Sequence, residues 1–380
     1  MNARPRADVL LQATVALMAG FGLAMVYSAS SVQSELRHAF SGYTAVRQAG
    51  WAVLSFILLI VLQRVDYRRF NHPAWVFGSL GFVVMMLVAV FFADPKDHRW
   101  FRIPNIGSLQ PSEFAKPAVV LFLAFFVSQR SRAINAKGTW APAAVTIAIV
   151  SALVVLGDYG TALVLVIPAF IIFFVAGLRW QYLTLALAIM MAASVVAVVS
   201  KPYRLARVIA YLDPTFQVLD RVPYGGAIRS YVGEQMSGRD TTYQQRQSRI
   251  AVGSGGIFGL GLMQSRQKMS FLPEAQNDFI YAVIAEELGL WGSSAVLIGF
   301  VVILWRGLRL FWLAPDEFGR YLALGLTLSI VAQAFINMSV VLDLGPTKGF
   351  PLPLISQGGC SLLATMASVG ILLSISEHAS

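Results

Sequence analysis

Of the 380 residues, 57% are apolar and 13% charged, a balance that excludes an ordinary soluble globular domain and implies a membrane protein. The formal net charge of +10 comes from bases scattered between apolar segments, with no polybasic run, which excludes nucleic acid as the partner and points to anionic lipid. A single cysteine, Cys360, excludes an intramolecular disulfide, and His38, His72, His98 and His378 stand too far apart for an H-E-x-x-H zinc site.

Arg4 and Arg6 precede an apolar run over residues 9–28. The small residues Ser28, Ala29 and Ser30 give it the look of a signal peptide. The run exceeds a typical h-region, however, and further spans follow, so it reads as an uncleaved first helix. Runs of membrane-crossing length recur near 48–63, 73–93, 113–128, 140–156, 160–177, 181–200, 279–305, 319–341 and 359–376. The predicted fold class is all-α: a polytopic integral membrane protein of ten transmembrane helices, one membrane domain over residues 1–380. With the N-terminus inside, the short inner segments carry twelve bases against six outside (Arg37, Arg47, Lys96, Arg99, Arg102 and Lys348). This bias puts both termini in the cytoplasm and the long segment 201–278, between helices 7 and 8, outside.

That outer segment reads as a loop with interfacial helices, not as an independent domain. Its first part is rich in arginine (Arg204, Arg207, Arg221, Arg229, Arg239, Arg246, Arg249), and its second, GSGGIFGLGL at 253–262, is apolar and rich in glycine. With no G-x-x-x-x-G-K-[ST] pattern and no preceding strand, the glycines do not make a phosphate loop. Short interfacial or re-entrant helices broken by glycine fit better.

Acids beside apolar helices mark the candidate site. In FLPEAQNDFIYAVIAEELGLWG (271–292), Asp278 sits where a polar segment joins an apolar helix. An ionisable group at membrane depth is a functional candidate; the structural alternative is a helix-start acid favoured by the macrodipole. Glu286 and Glu287 lie roughly 12 Å deeper along the helix and read as braces between helices. Glu113 and Lys116, one turn apart at the start of the fourth span, reach the outer level of Asp278, as does Asp158 in the turn GDYGT. They form either an ion-pair cluster that fixes packing or the polar floor of an outward-facing cavity. The loop LDLGPTKGFPLPLISQGGCS holds Lys348 between turns, as a rigid lid or as a cation offered to a phosphate. Gln333 and Asn337, four apart in the ninth span, read as interhelical hydrogen-bond partners.

Several strings resemble, in order along nearly the whole chain, the shape, elongation, division and sporulation (SEDS) family. They include MVYSASS at 25–31, VDYRRF at 65–70, QPSEFAK at 110–116, DYGTALVL at 158–165, YRLARVIAYLDP at 203–214, LPEAQNDFIYAVIAEELGL at 272–290 and PTKGFPLPLIS at 346–356. SRQK at 265–268, PTKG and the terminal SEHA are closer to the FtsW-like division branch than to the RodA-like elongation branch. The resemblance implies a ten-span peptidoglycan glycosyltransferase of the bacterial cytoplasmic (inner) membrane, acting at the division septum. It would polymerise lipid II outside the bilayer, beside a class B penicillin-binding protein transpeptidase and other divisome membrane proteins. The family's essential acid matches Asp278, its helix-four Glu and Lys match Glu113 and Lys116, and the acid of its D-x-G-T turn matches Asp158. The chain departs from the family pattern at Gln276 and Asn277, where His and Thr are usual, and at Gln357 and Cys360 in ISQGGCS.

Such a reaction joins a sugar 4-hydroxyl to an anomeric carbon and displaces undecaprenyl pyrophosphate. It needs a base at the hydroxyl and positive charge at the pyrophosphate. Asp278 is the candidate base. Arg99, Arg207, Lys268 and Lys348 are the candidate cations, Glu113, Lys116 and Asp158 are further substrate-site residues, and a divalent cation (Mg or Mn) is a candidate cofactor. The alternatives are a lipid II flippase, a RodA-type elongation polymerase and an inactive division scaffold. Against a transporter, which places its site near the midplane, stands the gathering of polar groups at the outer face.

Overall fold

The computed structural model describes residues 8–95, 97–103, 107–212, 225–226, 228–231, 243–269, 271–346 and 349–379, and each predicted span coincides with a helix. In chain order these are α1 (Val9–His38), α2 (Tyr43–Arg64), α3 (Pro73–Ala93), the strands β1 (Phe101–Ile103) and β2 (Gly107–Leu109), then α4 (Pro111–Ser128), α5 (Lys137–Gly157) and α6 (Tyr159–Val175). There follow α7 (Trp180–Val199), α8 (Pro202–Leu212), α9 (Tyr243–Gly255), α10 (Ile280–Leu313), α11 (Glu317–Val341) and α12 (Gly359–His378). Nine of the described helices are long and apolar enough to cross a membrane, and α6, with 17 residues, is shorter. The antiparallel hairpin β1–β2, with Arg102 opposite Ser108, is not foreseen in the sequence, because strands of three residues leave no periodicity to detect.

Local chemistry sets the helix starts. Asp8 caps α1 by accepting from the Leu11 N–H at 3.1 Å, and Asp316 caps α11 by accepting from the Gly319 N–H at 2.7 Å. Pro73 and Pro111 open α3 and α4, where a missing N–H costs nothing. The centre of the bundle is α4, α11 and α12, which are buried along most of their lengths. Around it, α11 packs on α4, α6 and α10, and α12 on α2. By contrast α7 buries only Leu183, and its outer surface has the apolar composition that lipid requires.

Two ion pairs, one partly and one fully buried, bracket the long axis. Arg306 Nε meets Asp8 Oδ2 at 2.6 Å near one end, and Lys268 Nζ meets Glu287 Oε1 at 2.9 Å near the other. Ser28 Oγ donates to Glu287 at 2.7 Å, so α1 and α10 are pinned together at both levels. From Asp8 to Ser28 along α1, or from Arg306 back to Glu287 along α10, the separation is about 30 Å at 1.5 Å per residue, one hydrocarbon thickness. Asp278 lies beyond that boundary, beside Gln276, whose Nε2 donates to Gln33 Oε1 at 2.8 Å one turn past Ser28.

Next to Glu287 α10 is broken. Gly289, at φ 64° and ψ −155°, leaves helical geometry, and the glycine-rich turn after α9 fits into the break. There the Leu260 and Gly261 N–H groups donate to the Glu286 and Glu287 carbonyls, both at 2.9 Å, and the Leu290 N–H to the Gly256 carbonyl at 3.0 Å. A Cβ on Gly255, Gly259 or Gly289 would overlap the facing backbone, so the seam has no room for side chains. The side chains of Glu286 and Glu287 complete the joint. Glu286 accepts from the Arg266 N–H at 3.0 Å, and Glu287 from the Met263 and Ser265 N–H groups at 3.0 and 3.2 Å.

Removing Lys268 would leave Glu287, which is 0% exposed, without its cation. Lys268→Met is expected to cost roughly 3–5 kcal/mol, seen as a lower denaturation midpoint of the purified protein in detergent; a midpoint equal to the parent's would rule the pairing out as a structural element.

Candidate functional site

Asp278 ends a series of turns that lead into α10, and its side chain is half-buried. Three successive carbonyls of this approach are fastened to the last third of the chain. Gln276 O accepts from the Gln357 N–H at 3.0 Å, Asn277 O from Ser356 Oγ at 2.5 Å, and Asp278 O from Asn337 Nδ2 at 2.8 Å. The same Asn337 amide donates to Phe350 O, also at 2.8 Å. One buried side chain of α11 thereby holds both the acid's own peptide and the proline- and glycine-rich loop that runs past it.

That loop makes direct contact with the carboxylate. A Cβ on Gly349 would overlap Asp278 Oδ2, so glycine is what lets the loop backbone lie against the acid. Lys348 lies outside the described residues. On the other side of Gly349, Arg99 Nη2 donates to its carbonyl at 3.4 Å and pairs with Asp158 Oδ2 at 2.8 Å. Asp158 is the N-cap of α6, accepting from the Gly160 and Thr161 N–H groups at 3.0 and 3.3 Å and from Thr161 Oγ1 at 2.8 Å. The turn that carries Arg99 is shaped by Asp94. Burial alone would raise that carboxyl's pKa, but the N–H groups of Trp100, Arg99 and Asp97 outweigh it and hold the group below the usual carboxylate range.

The last cation comes from α8. The guanidinium of Arg207 lies 5.9 Å from the ring centroid of Tyr203 and within electrostatic reach of Asp278. Desolvation lowers its pKa, opposed by Tyr203 and Asp278; arginine nonetheless keeps its charge.

The structure thus brings Asp278, Arg99 and Asp158 around the Gly349 loop, with Arg207 in electrostatic reach of Asp278. Glu113 and Lys116 form a second tier. They pair at 2.8 Å, both buried; Lys116 Nζ also donates to Gln333 Oε1, and Gln333 Nε2 donates to Pro351 O at 2.8 Å. Through Gln333 the buried pair supports the loop two residues past Gly349. Lys268 stands apart, committed to Glu287 and Ser28. Gln333, expected to link helices, joins α11 to α4 through Lys116 and also bonds the Pro351 carbonyl, while Asn337 bonds the carbonyls of Asp278 and Phe350 instead. Gly349 and Ser356 are not singled out in the sequence; a glycine defined by a neighbour distant in the chain carries no local signal. Among the described residues no three metal-ligating side chains converge. The described residues make no protein cage for a divalent ion, which would need substrate phosphates as ligands beside Asp278.

Asn337→Leu keeps the branched shape and removes the donor, taking the Asn337 bond from the carbonyls of Asp278 and Phe350. A loss of roughly 1–3 kcal/mol for each is expected, measurable by detergent denaturation; an unchanged midpoint would mean that this clamp does not hold the loop.

Residues 8–380 match the model of the FtsW/RodA/SpoVE family, described as "Cell cycle protein". The chain is 36% identical to the "Probable peptidoglycan glycosyltransferase FtsW" of Geobacter metallireducens, with 98% of this chain and 95% of the relative covered. It is 35% identical to "Stage V sporulation protein E" of Bacillus subtilis, with 98% and 97% covered. Among solved structures it resembles one described as "Structural coordination of polymerization and crosslinking by a peptidoglycan synthase complex", at a TM-score of 0.73 and 25% identity over 97% of each chain. The rod shape determining protein RodA of Thermus thermophilus shares the fold at a TM-score of 0.66 and 23% identity, with 97% of this chain and 96% of that one covered. A polytopic helical fold, a family match over nearly its full length and relatives above 30% identity together show that this chain belongs to the FtsW/RodA/SpoVE family of cell cycle proteins, the SEDS family.

Proposed function

We propose that this protein is a peptidoglycan glycosyltransferase that polymerises lipid II into glycan strands at the outer face of the cytoplasmic membrane, in septal wall synthesis during division. The relatives named for that activity and the site geometry support the same reading. The observation that carries the chemistry is Asp278: its carboxylate lies against the Gly349 backbone with Arg99 and Arg207 nearby.

In this reading the sugar 4-hydroxyl of one lipid II attacks the anomeric carbon of another with inversion. Asp278 accepts the hydroxyl proton as the new C–O bond forms. The old anomeric C–O bond breaks and its electron pair leaves with the undecaprenyl pyrophosphate, whose growing negative charge Arg207 and Arg99 receive. A positioned base contributes roughly 10²–10⁴ in rate, and cations fixed before the reaction add to it without reorganising. A divalent ion, when bound, would supply further charge at the pyrophosphate. Ten spans, both termini in the cytoplasm, and a partner that crosslinks the nascent strands complete the proposal. A class B transpeptidase with a single span is the partner of that chemistry, alongside other division proteins of the same membrane.

Purified protein with its crosslinking partner should convert lipid II into long strands. Asp278→Asn should abolish them with the denaturation midpoint kept, and normal polymer from that variant would remove Asp278 from the base role. Gly349→Ala adds one methyl group at the carboxylate. It should lower the polymerisation rate by roughly 10²-fold, the order expected for a 1 Å misplacement; a parental rate would mean that the Gly349 contact does not set the acid's position.

A further inference from the structure

Arg204 has no part in the chemistry above, yet among the described arginines it is the deeply buried one of α8, only 8% exposed. Its Nη2 donates to Val155 O at 2.8 Å, its Nη1 to Ala197 O at 3.1 Å, and its Nε to Tyr203 Oη at 3.0 Å. Both carbonyls lie in the last turns of helices, α5 and α7, where backbone acceptors lack intrahelical donors. A planar guanidinium can serve two such acceptors at once, which an ammonium on a flexible stem cannot do as well. The Arg204 guanidinium also lies 5.8 Å from the ring centroid of Tyr159. α8 is therefore fastened to the α5–α6 turn at Val155 and Tyr159, on either side of Asp158.

The same turn sets a second cation. Asp158 holds Arg99 at 2.8 Å, and Gly157 packs so closely on the His98 carbonyl that a Cβ there would overlap it. Arg207 stands one turn along α8 from Arg204. Arg99 and Arg207, which reach the Asp278 region from different parts of the chain, thus share one mechanical reference.

We infer that Arg204 is a positioning residue: by clamping α8 onto the α5–α6 turn it fixes where Arg207 stands relative to the Asp278 carboxylate, and so how well the departing pyrophosphate is received. It touches neither the base nor the substrate. The inference rests on the reading of Asp278 as base and Arg207 as a pyrophosphate cation.

The test is a double-mutant cycle on the full chain with its crosslinking partner, measuring initial rates of lipid II polymerisation for Arg204→Met, Arg207→Gln and the double variant. Each single change is expected to lower the rate by roughly 10–100-fold. The double should fall within about 3-fold of Arg207→Gln alone, because the effect of Arg204 passes through Arg207. Losses that multiply would overturn the inference. Should Arg204→Met fail to fold, Tyr203→Phe takes its place in the cycle, since it removes only the Nε partner and keeps the ring. A loss that disappears in the Arg207→Gln background supports the inference, and a loss that persists there overturns it. Asp278→Asn separates the two levels. If that variant polymerises, the underlying reading of the base fails and the inference falls with it; multiplied losses with Asp278 still required overturn only the role given to Arg204.

Discussion

A carboxylate close to hydrocarbon must find a cation or several N–H donors, and the half of this protein that carries Asp278 is arranged around that requirement. Glu287 meets it with Lys268, Ser28 and two backbone N–H groups, and Asp158 with Arg99, Thr161 and the N-terminus of α6. Glu113 meets it with Lys116. The first two tie together segments far apart in the chain, and the third, local to α4, reaches α11 through Gln333. The connections made to satisfy charge are therefore also the connections that shape the surface around Asp278.

Asp278 is held through its backbone as well. Its neighbours fix the peptide on which the carboxylate is mounted, through bonds to the carbonyls of residues 276–278. The buried Glu113–Lys116 pair serves the same mount at one remove, through Gln333 and Pro351.

Much of this is legible in the sequence, and the reasons for the rest are specific. The helices are readable because each needs a long apolar run, and Asp278 stands out because an acid interrupts such a run at its polar end. Lys268 is misleading. In sequence it is a lone base in an outer loop, suited to a phosphate, and only the fold shows Glu287 beneath it. The glycines of 253–262 suggest a broken interfacial element, but not that their partner is the break at Gly289, because two backbones that meet without side chains leave no complementary residue pattern to read. Gly349 is hidden for the same reason. Its importance is the shape of what faces it.

The mounting of Asp278 has a consequence for how the site can be governed. The peptide of Asp278 is held by Asn337, Ser356 and Gln357, while Arg99 and α8 are held at the α5–α6 turn by Asp158 and Val155. Arg99 joins the two sets, because the guanidinium that pairs with Asp158 also donates to the Gly349 carbonyl beside the Asp278 carboxylate. A shift of the α5–α6 turn is therefore passed to the Gly349 loop through one planar group, in the way a coupling rod carries motion from one frame to the next.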